Sequence, residues 1–173
     1  MAEIPVLDSE RLRLRGWTSS DADALRHICG DPVTMRYIGD GSPMPPDRAW
    51  HALAYLLGHW ELRGYGMWAI TEHSTGAVLG RVGLYHPEGW PGVELGWLLD
   101  RARWGEGLAT EAAQLAADWV WETLDLKQLI HLIQPDNHAS IRVAEKLGAA
   151  CDHRMDLDGT AVDLYALARP SAA

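Results

Sequence analysis

The chain reads Asp100-Arg101-Ala102-Arg103-Trp104-Gly105-Glu106-Gly107-Leu108-Ala109-Thr110-Glu111 where one pattern of apolar residues gives way to another. Residues 93–99 before it are mostly apolar and predict a strand, and residues 112–122 after it have helical spacing. Gly105 and Gly107 therefore lie at a strand-to-helix turn. Such a turn leaves backbone N–H groups free at the positive end of a helix dipole, and glycine lets a ligand approach closely. This indicates a phosphate-binding loop, although an ordinary tight turn satisfies the same short pattern.

Two nucleotide-binding motifs are excluded by the surrounding sequence. No acidic residue ends a strand about 20 residues after a G-x-G-x-x-G pattern, so the dinucleotide fold does not fit. The chain also lacks the G-K-[ST] of a nucleoside-triphosphate loop.

Composition indicates an ordinary globular protein. The 173 residues are 47% hydrophobic and 23% charged, and we expect a single domain over residues 1–173 with its core at about 7–168. No apolar run reaches the roughly 20 residues of a membrane helix, and the first residues do not resemble a signal peptide. We therefore expect a cytoplasmic protein without a membrane partner.

Charge and cysteine content narrow the function further. The net charge of −9 argues against a nucleic-acid surface. It is compatible with a cationic substrate and equally with plain solubility. Cys29 and Cys151 have no metal-site spacing, so we interpret both as buried free thiols in a reducing compartment and expect no metal.

The remaining patterns predict an α/β (α+β) fold. The expected order is β-α-α-β-β-β-α-β-α-β-β. The first predicted helix ends near Cys29, where Gly30 and Asp31-Pro32 stop it. The other predicted helices cover residues 47–63, 112–122 and 139–147. The first predicted strand begins at Leu12. The other predicted strands cover residues 66–71, 78–85, 93–99, 129–134, 150–157 and 162–168. A strand, a crossover helix and a second strand around the glycine segment predict one parallel pair in an otherwise antiparallel sheet. We therefore expect a mixed sheet of six to seven strands with about four helices on both faces.

Three stretches in this order resemble the GNAT superfamily of N-acetyltransferases, and within it the RimJ/RimL-like branch. They are Glu94-Leu95-Gly96-Trp97-Leu98-Leu99, Trp104-Gly105-Glu106-Gly107-Leu108-Ala109-Thr110-Glu111-Ala112 and Asn137-His138-Ala139-Ser140-Ile141-Arg142-Val143-Ala144-Glu145-Lys146-Leu147-Gly148. Trp104 departs from the Gln or Arg usual in the superfamily. The resemblance covers about residues 7–168 and implies the acyl-CoA N-acyltransferase fold.

The resemblance implies acetyl-CoA as cosubstrate. The pyrophosphate would lie on the turn that includes Trp104, its cradle being Gly105, Gly107, Leu108, Ala109 and Thr110. The pantetheine arm would pair like an added strand with Trp97, Leu98 and Leu99. A strand amide near Leu98 would polarise the acetyl carbonyl. Asn137 would bind the coenzyme arm, cap a helix, or do both.

For catalysis the sequence offers Glu94 and Ser140. A carboxylate at Glu94 would accept the amine proton, directly or through water, although a structural salt bridge is an alternative. Many superfamily members carry a tyrosine that protonates the leaving thiolate, and this chain has Ala144 there. Ser140 is the candidate donor instead, with Tyr165 as a weaker alternative. Arg81, His86 and His131 are less specific, and we expect His131 to be a packed residue of the sheet.

The predicted reaction is direct transfer of an acetyl group to a primary amine, either a protein N-terminal α-amine or a small amino compound. Antibiotic or polyamine acceptors, and a non-catalytic acyl-CoA sensor, are the alternatives that the sequence leaves open. A second copy of the chain is a candidate partner. Tyr37 and four tryptophans are candidates for the acceptor cleft, with ordinary packing as the alternative: Trp50, Trp60, Trp68 and Trp90.

Overall fold

A computed structural model describes residues 3–171. Its eight strands are β1 Leu7–Asp8, β2 Leu12–Arg15, β3 Met67–Glu72, β4 Val78–Tyr85, β5 Glu94–Leu99, β6 Gln128–Ile133, β7 Ala150–Leu157 and β8 Thr160–Ala168. Its five α-helices are α1 Ala22–Gly30, α2 Pro32–Met35, α3 Pro46–Arg63, α4 Leu108–Thr123 and α5 His138–Lys146.

The strands form one sheet in the order β1-β2-β3-β4-β5-β6-β8-β7. Every neighbouring pair is antiparallel except β5 and β6, which are parallel because α4 carries the chain back between them. The predicted mixed sheet with one parallel pair is thus confirmed.

Apolar side chains cover both faces of this sheet, because successive residues of a strand point to opposite sides. On one face Leu95 and Leu99 of β5 pack in a cluster with the small residues of α4, including Ala112 and Ala116. On the other face Leu98 packs in a second cluster with residues of α1 and α3. Alanines let α4 lie close to the strands, and this places the first turn of α4 near the end of β5.

Tryptophan supplies much of the aromatic packing in a chain with nine tryptophans and no phenylalanine. Trp68 contacts Trp60 and Trp119 edge-on, at centroid distances of 4.9 and 5.1 Å. Edge-to-face contacts of this kind are favourable for aromatic rings. Trp60 and Trp68 are therefore core residues, which agrees with ordinary packing and not with a place in the acceptor cleft.

Three further expectations need correction. Within residues 3–171 the sheet has eight strands and there are five α-helices, one more of each than the predicted order contains. The two-residue β1 and the four-residue α2 are too short to show a period. The Asp31 side chain accepts from the Val33 N–H and Pro32 begins α2, so this segment starts a new helix where we expected only a stop. Cys29 is buried, but Cys151 is exposed because β7 is an edge strand.

No helix within residues 3–171 is long and apolar enough to cross a membrane.

Close packing between β4 and β5 depends on Gly80. A Cβ at this position would collide with the Leu98 carbonyl oxygen and lie 2.9 Å from the Leu99 Cα. We expect Gly80→Ala to lower the free energy of unfolding by about 1–3 kcal/mol, because backbone must move to admit the methyl group. Thermal and urea unfolding measure this loss.

Gly58 provides the matched control. It lies within α3, and a Cβ there would meet nothing within 4 Å. Gly58→Ala should raise stability by about 0.5–1 kcal/mol through helix propensity. Equal effects of the two substitutions would contradict the proposed close contact at Gly80.

Candidate active site

The parallel pairing of β5 and β6 is very short, and the two strands separate after it. Its one register pair joins Glu94 to Ile130, and the Ile130 N–H donates to the Val93 carbonyl over 3.0 Å. The next carbonyl along this edge of β5, that of Leu95, is bonded by the His131 ring through Nδ1 over 2.6 Å. A side chain thus replaces the next backbone bond, and the strands separate beyond it.

Strand alternation tells which backbone groups of β5 face this opening. The Asp100 N–H donates to the Leu79 carbonyl at 2.8 Å, so the even-numbered residues turn their N–H and C=O groups toward β4. The odd-numbered residues face β6. The Leu99 carbonyl on this side accepts from Trp104 Nε1 at 3.0 Å. The N–H and C=O of Trp97 consequently face the opening, whereas those of Leu98 face β4. The predicted pantetheine bond is therefore not available to the Leu98 backbone, and the free strand amide near Leu98 is that of Trp97.

The glycine segment ends this opening with the first turn of α4. Gly107 is the N-cap in the left-handed conformation, with φ of 80°, and in the described chain no side chain caps this turn. Gly105 has φ of 82° and nothing within 4 Å of where its Cβ would be. The N–H groups of Leu108 and Ala109 therefore have no acceptor within the helix and no side-chain cap, which is the arrangement that binds anions at helix N-termini.

Ion pairs offset the negative charges beside this turn. The Glu111 carboxylate accepts from Ser9 Oγ at 2.7 Å and from Arg11 Nε at 2.7 Å. Arg11 also donates to the Glu106 carbonyl over 2.9 Å. Arg103 pairs with Glu106. The arginines thus neutralise the carboxylates near the glycines, so these carboxylates do not prevent a phosphate from binding at the turn.

A cleft of about 680 Å³ lies at the opening between β5 and β6. Its lining joins β4, β5 and β6 to the segment after α2, the start of α5 and the β7–β8 turn. Tyr37 Oη donates to the Asp136 carbonyl over 3.1 Å and connects two of these walls. A volume of this size suits a small-molecule or peptide ligand.

Glu94 lies on the cleft wall, at the point where the strands part. Its Oε2 accepts from Trp90 Nε1 at 2.8 Å. Enclosure by protein raises the pKa of Glu94 to about 7, against the opposing effects of the Trp90 bond, a backbone bond from Leu132 and the positive charge of Arg81. A carboxyl with this pKa exchanges protons near neutral pH and suits general-base catalysis.

Comparison with known proteins accounts for this arrangement. A family model described as an acetyltransferase (GNAT) domain matches residues 11–150. The chain belongs to the GNAT acetyltransferase family. The predicted family and enzyme class are therefore confirmed, and the GNAT fold uses acetyl-CoA.

Similar sequences and structures extend over most of the chain. Bacillus subtilis (strain 168) YkkB is 33% identical over 150 residues, which cover 82% of this chain and 83% of that protein. The N-acetyltransferase p20 of Bacillus licheniformis is 29% identical, covering 82% of this chain and 80% of its own. An acetyltransferase structure from Agrobacterium tumefaciens C58 has a TM-score of 0.84 at 34% identity, covering 95% and 94% of the two chains.

The ribosomal L7/L12 α-N-protein acetyltransferase RimL, in complex with coenzyme A, shares the fold of this acetyltransferase. Its TM-score is 0.81 at 19% identity, covering 95% of this chain and 98% of RimL.

The loop that carries Trp90 is fastened to the end of α3. The His86 N–H donates to His59 Nε2 at 3.0 Å, and His86 Nδ1 bonds the Tyr65 hydroxyl over 2.8 Å. Arg63 pairs with Glu88 in the same loop at 2.5 Å. In this acetyltransferase, contacts with α3 therefore fix the loop whose Trp90 indole donates to Glu94.

Ser140 and Asn137 meet at the start of α5. Asn137 is the N-cap, and its side chain accepts from the Ser140 N–H at 3.2 Å. Both residues line the cleft. Ala144, one turn further on, is fully buried in the core. The capping role of Asn137 is thus present, and the Ser140 hydroxyl is available at the cleft wall.

His131 is 1% exposed and contacts Trp97, with ring centroids 5.1 Å apart. Because the Leu95 carbonyl is an acceptor, Nδ1 carries the proton and Nε2 is the bare nitrogen. Nε2 is buried and has no partner among the described residues. Burial lowers the pKa of His131 to about 4, so the ring is neutral, in agreement with the packed sheet residue that we predicted.

The remaining sequence candidates divide by position. Trp90 and Tyr37 line the cleft, as predicted. Trp50 is 62% exposed on α3 outside the cleft lining, and Tyr165 is buried in β8. Sequence reasoning did not single out several lining residues: Asp40, Tyr55, Tyr85 and Asp158. Tyr85 could have been predicted from the sequence, because the register of the hairpin places it opposite Glu94.

The raised pKa of Glu94 predicts a pH-dependent stability. Its folded pKa exceeds the ordinary 4.5, so its contribution to stability is present below about pH 4.5 and is lost as the pH rises through 7. Glu94→Gln removes the buried charge. We expect the melting temperature of Glu94→Gln, relative to wild type, to be higher at pH 8 than at pH 5.

Glu145→Gln, at an exposed position of α5, is the control and should show the same difference at both pH values. A Glu94→Gln difference that does not change with pH would contradict the assigned environment of this carboxyl.

Proposed function

We propose that the chain is an acetyl-CoA-dependent N-acetyltransferase of the RimJ/RimL-like branch, acting on a primary amine by direct transfer within a single domain. One observation carries the proposal. The hydrogen bonding between β5 and β6 stops after Glu94 and Ile130, and the gap ends at an uncapped helix N-terminus. An extended arm fits beside the strand edge, and its phosphates fit at the helix.

On the donor side, the turn of Trp104, Gly105 and Gly107 holds the pyrophosphate through the N–H groups of Leu108, Ala109 and Thr110. Trp97 pairs with the pantetheine arm, since its backbone faces the opening. Trp104 acts indirectly by occupying the Leu99 carbonyl. Asn137 lies beside the arm while it caps α5.

Glu94 is the proposed general base. With its pKa near 7 it is substantially ionised at neutral pH, and it takes the proton that the amine loses on attack. Trp90 donates to one carboxylate oxygen, which fixes the orientation of the group. Ser140 is the proposed proton donor to the leaving thiolate, because Ala144 has no hydroxyl and Tyr165 lies outside the cleft lining.

The acceptor is an α-amine at a protein or peptide terminus, or on a small amino compound. The fold likeness to RimL supports the terminal amine, and the acidic residues at the cleft support a cationic group. Aromatic rings around the cleft, including Tyr55 and Tyr85, are suited to pack the rest of the acceptor. Polyamines and antibiotic amines remain the competing acceptor class.

The donor site predicts a specific failure of coenzyme binding. Acetyl-CoA should raise the melting temperature of the wild type by linkage. Gly107→Asp places a negative charge where the phosphates lie, so we expect the coenzyme-induced shift to disappear. Differential scanning fluorimetry with and without acetyl-CoA measures it.

Gly64→Asp is the matched control, because Gly64 has a similar φ of 73° and lies at the end of α3. It imposes the same backbone strain and charge but should retain the shift. Equal shifts in wild type and Gly107→Asp would exclude the glycine turn as the phosphate site.

The catalytic assignments predict a separation of rate from affinity. Ser140→Ala should lower turnover about tenfold or more, with little change in the coenzyme-induced melting shift. Glu94→Gln should lose the rise in kcat/KM that the wild type shows as the pH passes through about 7. Thiol release from acetyl-CoA with a panel of peptides and amines measures both.

Wild-type rates in both variants would remove Glu94 and Ser140 from the chemistry. Coenzyme binding without thiol release across the whole panel would instead favour the acyl-CoA sensor.

A further inference from the structure

Arg81 is the basic residue of the cleft, and its strand position gives its direction. It pairs with Leu98 in β5 and with Ala69 in β3, so it shares their face of the sheet. Glu94 and Leu98 are on the same face of β5, an even number of residues apart. Arg81 and Glu94 therefore line one cleft from neighbouring strands.

The guanidinium of Arg81 has no acceptor among the described residues, unlike those of the other half-buried arginines. Four arginines within residues 3–171 are half-buried. Three of them form ion pairs: Arg15 with Asp21, Arg63 with Glu88, and Arg103 with Glu72 and Glu106. Arg81 has no hydrogen bond or ion pair to any described residue. Its positive charge acts only at longer range, where it partly offsets the rise in pKa that burial causes at Glu94 and at Cys29.

A half-buried guanidinium without an acceptor is unfavourable, since it has lost water on several sides without gaining bonds. Its five N–H donors form a planar fork that matches two oxygens of one anion. The other charged groups at the cleft are the acids Glu94, Asp40 and Asp158, while His131 is neutral. The cleft thus offers acidic groups for an amine and one basic group for an anion.

Strand register separates these two positions. Glu94 lies opposite Tyr85, four residues along β4 from Arg81. Along the strand direction their backbone positions differ by about 14 Å, at roughly 3.4 Å per residue. A ligand that reaches both groups carries its anion several bonds away from its amine.

We propose that Arg81 determines acceptor specificity by binding an anionic group, a carboxylate or a phosphate, on the amine that is acetylated. The proposal rests on the proposed acetyltransferase function of the same cleft. It narrows the acceptor to amines with a second, negatively charged end, such as an acidic residue after a peptide N-terminus. Spermidine-like amines lack that end.

The test uses acceptors that differ only in the anion. Ala-Glu-amide is compared with Ala-Gln-amide, γ-aminobutyrate with its amide, and O-phosphoethanolamine with ethanolamine. The first two pairs test a carboxylate and the third tests a phosphate. We expect at least one anionic member to have a kcat/KM roughly 10- to 100-fold above its neutral partner, as expected for a charged hydrogen-bonded pair.

Arg81→Gln should abolish this preference, because the anionic acceptor loses its partner and slows more than the neutral one. The Arg81 charge also opposes the raised pKa of Glu94, and its removal affects both acceptors alike, so the ratio of the two kcat/KM values is the readout. Arg81→Lys should restore part of the preference, because lysine keeps the charge without the fork. Arg26→Gln removes the same charge from the exposed face of α1 and should retain the preference. The acetyl-CoA melting shift should be equal in all four proteins.

Binding gives a readout that does not need turnover. Isothermal titration of each probe into coenzyme A-saturated wild type should show tighter binding of an anionic member, and Arg81→Gln should remove the difference. Equal binding within every pair, or loss of the coenzyme-induced melting shift in Arg81→Gln, would overturn the role of Arg81. Anion-selective binding without thiol release would support Arg81 and contradict the transferase function.

Discussion

The separation of two parallel strands is the constraint on which the site depends. Parallel strands normally satisfy each other's backbone groups along their whole length. Here side chains take over: His131 bonds the Leu95 carbonyl, and Trp104 bonds the Leu99 carbonyl. These two bonds satisfy two carbonyls on the edge of β5 that would otherwise need a neighbouring strand. They leave the backbone N–H and C=O of Trp97 without a strand partner. The opening is thus built into the hydrogen bonding of the strands.

The electrostatic design of the cleft follows from that opening. A carboxyl at the point of separation is enclosed by both strands, which explains why burial outweighs the hydrogen bonds on Glu94. Trp90 opposes the effect of burial, and its loop is fixed through His86 and Arg63 to the end of α3. The protonation of one residue therefore depends on contacts made by a helix on the far side of the loop.

Sequence alone predicts much of this fold, because long periodic segments and the glycine turn have clear signals. The parallel pair followed from one strand-helix-strand crossover, and the helix predicted over residues 47–63 is present as Pro46–Arg63. The short elements β1 and α2 were not predicted, because a segment of a few residues shows no hydrophobic period. The site was predicted less completely, since it depends on which edge of β5 faces the opening. Leu98 and Trp97 differ only by strand alternation, and the unpartnered state of Arg81 is visible only when all neighbours are in place.

The distribution of tryptophans gives this acetyltransferase two separate optical reporters. Trp60, Trp68 and Trp119 form one edge-on group, in which Trp60 and Trp68 are buried in the core and Trp119 packs against it. Trp90 and Trp97 line the cleft, and Trp104 is 48% exposed at the glycine turn. Emission from the first group senses loss of the fold, whereas emission from the second senses occupancy of the cleft. Because Trp50 is exposed outside the cleft and also emits at long wavelength, ligand binding is read from the change in emission when ligand is added to the folded protein, without any added dye.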